Sequence, residues 1–185
     1  MRVITGTARG RRLKELQGRD TRPTTDKVKE GMFNILQFDI EGRRVLDLFA
    51  GTGQLGIEAL SRGAAHATFV EQRGDAVKLI RENLELCGFS DCSRVVTGDA
   101  MSFLASLRER FGLILLDPPY ESDLLEKTLA HIARYDLLMP QGIIMAESAA
   151  DKQLPALAAP YGIYREYRYG RIKLTVYHRD GEEQQ

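Results

Sequence analysis

Arg44-Val45-Leu46-Asp47-Leu48-Phe49 runs directly into Ala50-Gly51-Thr52-Gly53-Gln54-Leu55-Gly56. The first six residues are mostly apolar and read as a buried strand. The next seven are a tight glycine turn opening a helix that runs to about Ser61. Strand, glycine turn and helix together make the first unit of a parallel α/β sheet. A dinucleotide-type fingerprint also needs an acid about 20 residues past the first glycine, where it holds ribose hydroxyls. Glu71 has that spacing and ends the next apolar run, Ala67–Glu71. By itself this pattern leaves NAD open.

The rest of the chain alternates in the same way. Residues 76–87 form a helix with Val77, Ile80, Leu84 and Cys87 on one face, stopped by Gly88. Arg94–Thr97 is a third strand, and a helix runs from Met101 to about Arg108. Phe111–Leu116 is a fourth strand, Leu124–Tyr135 a helix, and Gly142–Glu147 a fifth strand. A short helix is expected over Leu154–Ala158. Ile163–Tyr169 and Arg171–His178 meet near Gly170 as an antiparallel hairpin. Upstream, residues 2–5 suit a short strand. Thr24 or Thr25 can cap a helix over about 25–37, with Gly31 inside it for close packing or for close ligand approach. The expected architecture is α/β, one domain over 1–185. Residues 1–38 form an extension on it, a short strand or hairpin plus a helix. The tail Asp180–Gln185 is expected to fray.

Where the fourth strand ends stand Asp117, Pro118, Pro119 and Tyr120. Ligands of open α/β sheets bind at that edge. The two prolines have a fixed φ and no N–H to donate, so the turn is stiff and offers only acceptors. Tyr120 adds a flat ring. Acceptors beside a stacking face suit a planar base with an exocyclic amine. The plain alternative is a proline-rich strand exit with a buried Asp.

The totals narrow the setting. There is no apolar run of the roughly 20 residues that a bilayer span needs, and no signal-peptide pattern at the Arg-rich start. A cytoplasmic protein is expected. Cys87 and Cys92 lack the companions of a zinc site and read as ordinary thiols. His66, His131 and His178 form no catalytic constellation, and nothing calls for a metal. The net charge of zero hides an asymmetry: residues 1–30 hold nine basic and four acidic residues. A basic arm on an acidic body points to a polyanion partner.

Three features tilt the cofactor away from NAD. Asp47 lies inside the first strand, placed to meet a cationic group or to brace the loop. Gly98-Asp99-Ala100 follows the third strand, where a carboxylate can accept from an adenine amine or cap a helix. Asp-Pro-Pro-Tyr has no task in hydride transfer. Together these residues resemble the Rossmann-like class I S-adenosylmethionine-dependent methyltransferases, with a mostly parallel seven-stranded sheet and an antiparallel C-terminal hairpin. The resemblance implies Glu71 on the ribose, Asp99 and Ala100 at the adenine, and Asp47, Phe49, Gly51, Thr52 and Gly53 around the methionine end. Asp117 borders the cofactor as well as the substrate. Asp-Pro-Pro-Tyr resembles the motif of enzymes that methylate exocyclic amines, which implies catalytic roles for Asp117, Pro118 and Tyr120.

The resemblance narrows at the N-terminus. Arg2–Gly6, Gly10–Leu13, Arg22–Asn34 and Asp47–Gly63 are similar to the bacterial 16S ribosomal RNA guanine-N2 methyltransferases acting at guanine 966. The similarity runs from Arg2 to Tyr177. It departs at Thr5-Gly6, where a Gly pair is common, at Gly31, where a larger residue is usual, and at Tyr120, where Phe is frequent. It implies 16S rRNA or the small ribosomal subunit as substrate, contacted by Arg9, Arg11, Arg12, Arg22 and Tyr120. A monomer is expected. Adenine-N6 methylation of DNA or RNA is the alternative activity.

Overall fold

The computed structural model describes residues 1–16, 26–119 and 123–181. Seven strands form one sheet: β1 (Arg44–Asp47), β2 (His66–Glu71), β3 (Ser93–Thr97), β4 (Phe111–Leu116), β5 (Leu138–Ala149), β6 (Tyr161–Tyr169) and β7 (Ile172–Arg179). Their order is β3-β2-β1-β4-β5-β7-β6. β3 through β5 run parallel, and β7 and β6 antiparallel. This is the expected sheet, including its C-terminal hairpin.

The helices are α1 (Asp26–Ile35), α2 (Gln54–Ser61), α3 (Gly74–Cys87), α4 (Ala100–Ser106) and α5 (Leu124–Arg134). They cover both faces, so every residue of β4 is buried. Such a continuous apolar strand is what parallel crossovers produce. Val45, Phe69, Leu113, Leu115 and Leu174 meet α1, α2 and α3 on one face. Leu46, Val70, Ile114, Leu116 and Tyr177 meet α4 and α5 on the other. α3 ends as its sequence implies, with Gly88 at φ 75.

Two expected elements are corrected. Residues 2–5 make no strand, only an isolated bridge from Arg2 to Arg12. The pairing stops after Val3, whose amide donates to the Arg11 carbonyl at 3.0 Å, because the next two amides, of Ile4 and Thr5, donate to Glu58. Leu154–Ala158 is not helical. Five residues barely exceed one helical turn, too short to repay nucleation. The Pro155 carbonyl instead accepts from the Tyr177 hydroxyl at 2.9 Å. β5 is also longer than expected at both ends. Thr24, Thr25 and residues 182–185 lie outside the described residues.

Gly31 sits in α1 for packing. A Cβ there would stand 2.6 Å from Cζ of Tyr169, so the ring of β6 fills the space a side chain would take. Cys87 and Cys92 are free thiols, and burial pushes both upward in pKa. His178 stacks on Tyr164 and His131 tilts against Tyr135. No helix among the described residues is long and apolar enough to cross a membrane.

Candidate cofactor and substrate site

The parallel strands deliver four of the singled-out acids to one edge. Asp47 ends β1, Glu71 ends β2, Asp99 follows β3 and Asp117 follows β4. Asp47 is buried and accepts from the Gly56 amide at 2.9 Å. It therefore braces the start of α2. Burial pushes its pKa up to about 7, and the charges of Asp117 and Glu71 push the same way, against the Gly56 bond. Three carboxylates thus crowd together, a field suited to a cationic ligand.

The loop above them is held by its own backbone. Gly53 donates to the Ala50 carbonyl at 2.7 Å, and Gly51 and Gly53 adopt φ of 54 and 82. That left-handed turn requires glycine. Gly51 donates to Oε2 of Glu71 and Arg73 to Oε1, each at 2.9 Å. Glu71 therefore ties the glycine loop to the end of β2. A Cβ at Gly56 would meet Phe69 at 2.3 Å, so this glycine lets α2 lie close on the sheet. Phe49 is half-buried and Thr52 buried.

Asp99 caps α4: the Ser102 amide donates to its Oδ1 at 2.8 Å, and that bond holds its pKa below the usual carboxylate range. Ala100 is buried as the first residue of α4. A cleft of about 590 Å³ runs along β3 and α4 past Thr97, Gly98, Asp99 and Phe103. Asp117 is half-buried, Pro118 buried and Pro119 exposed. The register Leu116↔Ala146 brings the next residue of β5, Glu147, to the same edge as a further buried acid. Tyr120 and Arg22 lie outside the described residues.

The structure places Arg9 and Arg11 away from this edge, while Arg12 lies two residues before Lys14, which bonds to Asn83. Thr7 and Ala8 bond to Ser61 at the far end of α2, and the Arg11 charge reaches Cys87 at the far end of α3. An eight-residue helix separates that end from the glycine loop, about 12 Å at 1.5 Å per residue.

Sequence reasoning missed Asn83. It is buried on α3, and its amide donates to the Thr52 carbonyl at 3.0 Å and the Lys14 carbonyl at 3.1 Å. Its Oδ1 accepts from the Lys14 amide at 2.7 Å. One side chain thus joins the basic arm to the glycine loop. Its signal was an amide on the apolar face between Ile80 and Leu84, since a buried amide needs partners.

Asp47 makes a pH prediction. Its folded pKa lies above the unfolded value, so the folded state keeps a proton that the unfolded chain releases. Stability from this group is complete below about pH 4 and is lost as pH rises to about 7, a few kcal/mol at roughly 1.4 per pKa unit. Asp47→Asn keeps an acceptor for Gly56 and carries no charge. The ligand-free variant should come close to the parent Tm near pH 4, begin to exceed it by pH 5 and exceed it most at pH 8. Equal Tm values at pH 8 would contradict the shift.

Sheet order, a glycine turn at the first crossover and acids at the strand ends define the Rossmann-like class I methyltransferase fold. The chain belongs to the family described as "Conserved hypothetical protein 95", whose model matches residues 1–178, the family of ribosomal RNA small subunit methyltransferase D. It is 40% identical over 184 residues to YlbH of Bacillus subtilis strain 168, covering 98% of this chain and 100% of that one. It is 36% identical over 182 residues to ribosomal RNA small subunit methyltransferase D of Escherichia coli K12, covering 98% and 91%. The solved structure of yhhF from Escherichia coli superposes with a TM-score of 0.88 at 35% identity, over 98% of this chain and 99% of that one.

Proposed function

We propose that this protein methylates the exocyclic N2 amine of guanine 966 in 16S ribosomal RNA of the small subunit, using S-adenosylmethionine. The observation that carries the reading is Asp117, half-buried at the end of a fully buried strand next to Asp47, with Glu71 on the other side of β1. The relatives named as small subunit rRNA methyltransferases support the substrate class. The protein works as a monomer in the cytoplasm, one domain with residues 1–38 as its extension.

The residues present fit that cofactor. It carries a sulfonium and an ammonium, and the crowded carboxylates offer opposite charge. Glu71 holds the ribose with acceptor capacity left beyond its two backbone bonds, each oxygen having two lone-pair sites. Asp99 and Ala100 frame the adenine, and Asp47, Phe49, Gly51, Thr52 and Gly53 the methionine end. When bound, the cofactor supplies an activated methyl group on a positively charged sulfur.

The protein's part is aim. An exocyclic amine is a poor nucleophile because its lone pair is delocalised into the ring. Asp117 and the Pro118 carbonyl accept hydrogen bonds from its two N–H groups and so point its lone pair at the methyl group; one of those protons leaves once the N–CH3 bond has formed. The Asp117 charge then stabilises the cationic nitrogen that forms. Tyr120 stacks on the base, a contact of about 1–3 kcal/mol. Arg9, Arg11, Arg12 and Arg22 hold RNA phosphates.

The test is a methylation assay on small subunits from a strain lacking this protein, followed by mass spectrometry of the digested rRNA. N2-methylguanine at position 966 is expected. N6-methyladenine would establish the neighbouring chemistry instead.

A further inference from the structure

Most cations on the body of the sheet are neutralised where they stand. Arg43 faces Asp39, Arg44 faces Glu109, Arg73 faces Asp75, and Arg110 and Arg179 share Asp136. The β6–β7 hairpin differs. Tyr164-Arg165-Glu166-Tyr167-Arg168-Tyr169-Gly170-Arg171 alternates basic and aromatic residues. Its one acid, Glu166, is taken by Lys173 at 2.7 Å. Arg165, Arg168 and Arg171 are exposed, and among the described residues none joins a salt bridge. Arg165 lies over the Tyr167 ring, 5.9 Å from its centroid.

Register places this charge. Arg168 pairs with Lys173, Lys173 with Ser148, and Leu116 with Ala146 two residues before Ser148. The hairpin tip therefore lies at the sheet edge that carries Asp117. Three strand spacings separate β4 from β6, about 14 Å at 4.7–4.9 Å each. The tip is also held firmly. Gly170 turns at φ 62, Ala150 donates to the Arg171 carbonyl at 3.0 Å, and the Tyr169 ring fills the space at Gly31.

We infer that Arg168 and Arg171, at the tip of the β6–β7 hairpin, form a phosphate-binding surface for the substrate RNA on the catalytic edge. This rests on the RNA-methylation reading and deepens it. Arg9 and Arg11 sit by the far ends of α2 and α3, about one helix length away. The tip lies beside the target base, where an RNA strand entering at Asp117 meets it within a few phosphates. Two exposed guanidinium groups on a rigid turn, neither in a salt bridge among the described residues, suit phosphates by charge and by fork geometry.

The test uses the full-length protein and small ribosomal subunits from a strain lacking it. Arg168→Ala/Arg171→Ala should weaken RNA binding about tenfold and flatten the plot of log affinity against log salt by about two, one per lost phosphate contact. KM for RNA should rise in step. Cofactor affinity and Tm should hold, because both side chains are exposed. An unchanged salt slope with unchanged KM would overturn the surface and leave the methylation reading intact. An unsubstituted protein that binds these subunits but transfers no methyl group would sink the methylation reading, while the binding comparison would still decide the surface.

Discussion

Asp117→Ala is expected to lower methyl transfer at least about a hundredfold, while cofactor affinity stays within a few-fold of the parent. The size follows from losing one preorganised group that acts on charge developing in the transition state, typically about 10²–10³ in rate. Binding survives because Glu71, Asn83 and the positive-φ glycines shape the cofactor loop without Asp117. Isothermal titration with the cofactor and single-turnover transfer to rRNA separate the two effects. A near-parental rate would remove Asp117 from the chemistry. Lost binding with a normal rate at saturation would make it a cofactor residue.

The second large effect is on stability, at Glu58. This carboxylate is fully buried on α2, and four groups converge on it. The amides of Ile4 and Thr5 donate at 2.8 and 2.9 Å, Arg62 at 2.9 Å, and the Lys29 ammonium lies 3.6 Å away. Lys29 is itself buried and donates to the Arg2 carbonyl at 2.5 Å, and burial lowers its pKa. Glu58→Ala strands that ammonium and two amides. Breaking one partner of a buried pair costs about 3–5 kcal/mol. The variant should show a lower Tm and rapid trypsin cleavage at Arg9, Arg11 or Arg12 as residues 1–13 leave α2. A parental Tm with a protected arm would mean that the cluster does not dock it.

Much of this was legible in the chain because it is local. The alternation of apolar runs and periodic helices specified a parallel sheet, and the spacing from Gly51 to Glu71 put an acid at the end of β2 beside the glycine loop. Even Glu71's bond to Gly51 is a consequence of that spacing, since β1 and β2 are neighbours. What escaped were contacts between distant segments. Asn83 serves two backbone carbonyls, and carbonyls leave no mark in a sequence pattern. Residues 2–5 have strand-forming side chains, yet the amides of Ile4 and Thr5 go to Glu58, and tertiary bonds overrode local propensity. The arm's charge advertised a polyanion but not a place, and Arg9 and Arg11 lie by the far ends of α2 and α3.

The contact between Gly31 and Tyr169 has a consequence for how relatives of this chain vary. The two positions share one volume, so their sizes form a single variable. A relative with a bulky residue at the α1 position should carry a small one at the hairpin position, or else tilt α1 away from β6. The same trade can be made by hand. Alanine at 31 improves helix propensity by about 1 kcal/mol but meets the ring at 2.6 Å. Combined with a small residue at 169 the gain is released, and a double-mutant cycle should show coupling of the order of 1 kcal/mol between two sites far apart in sequence.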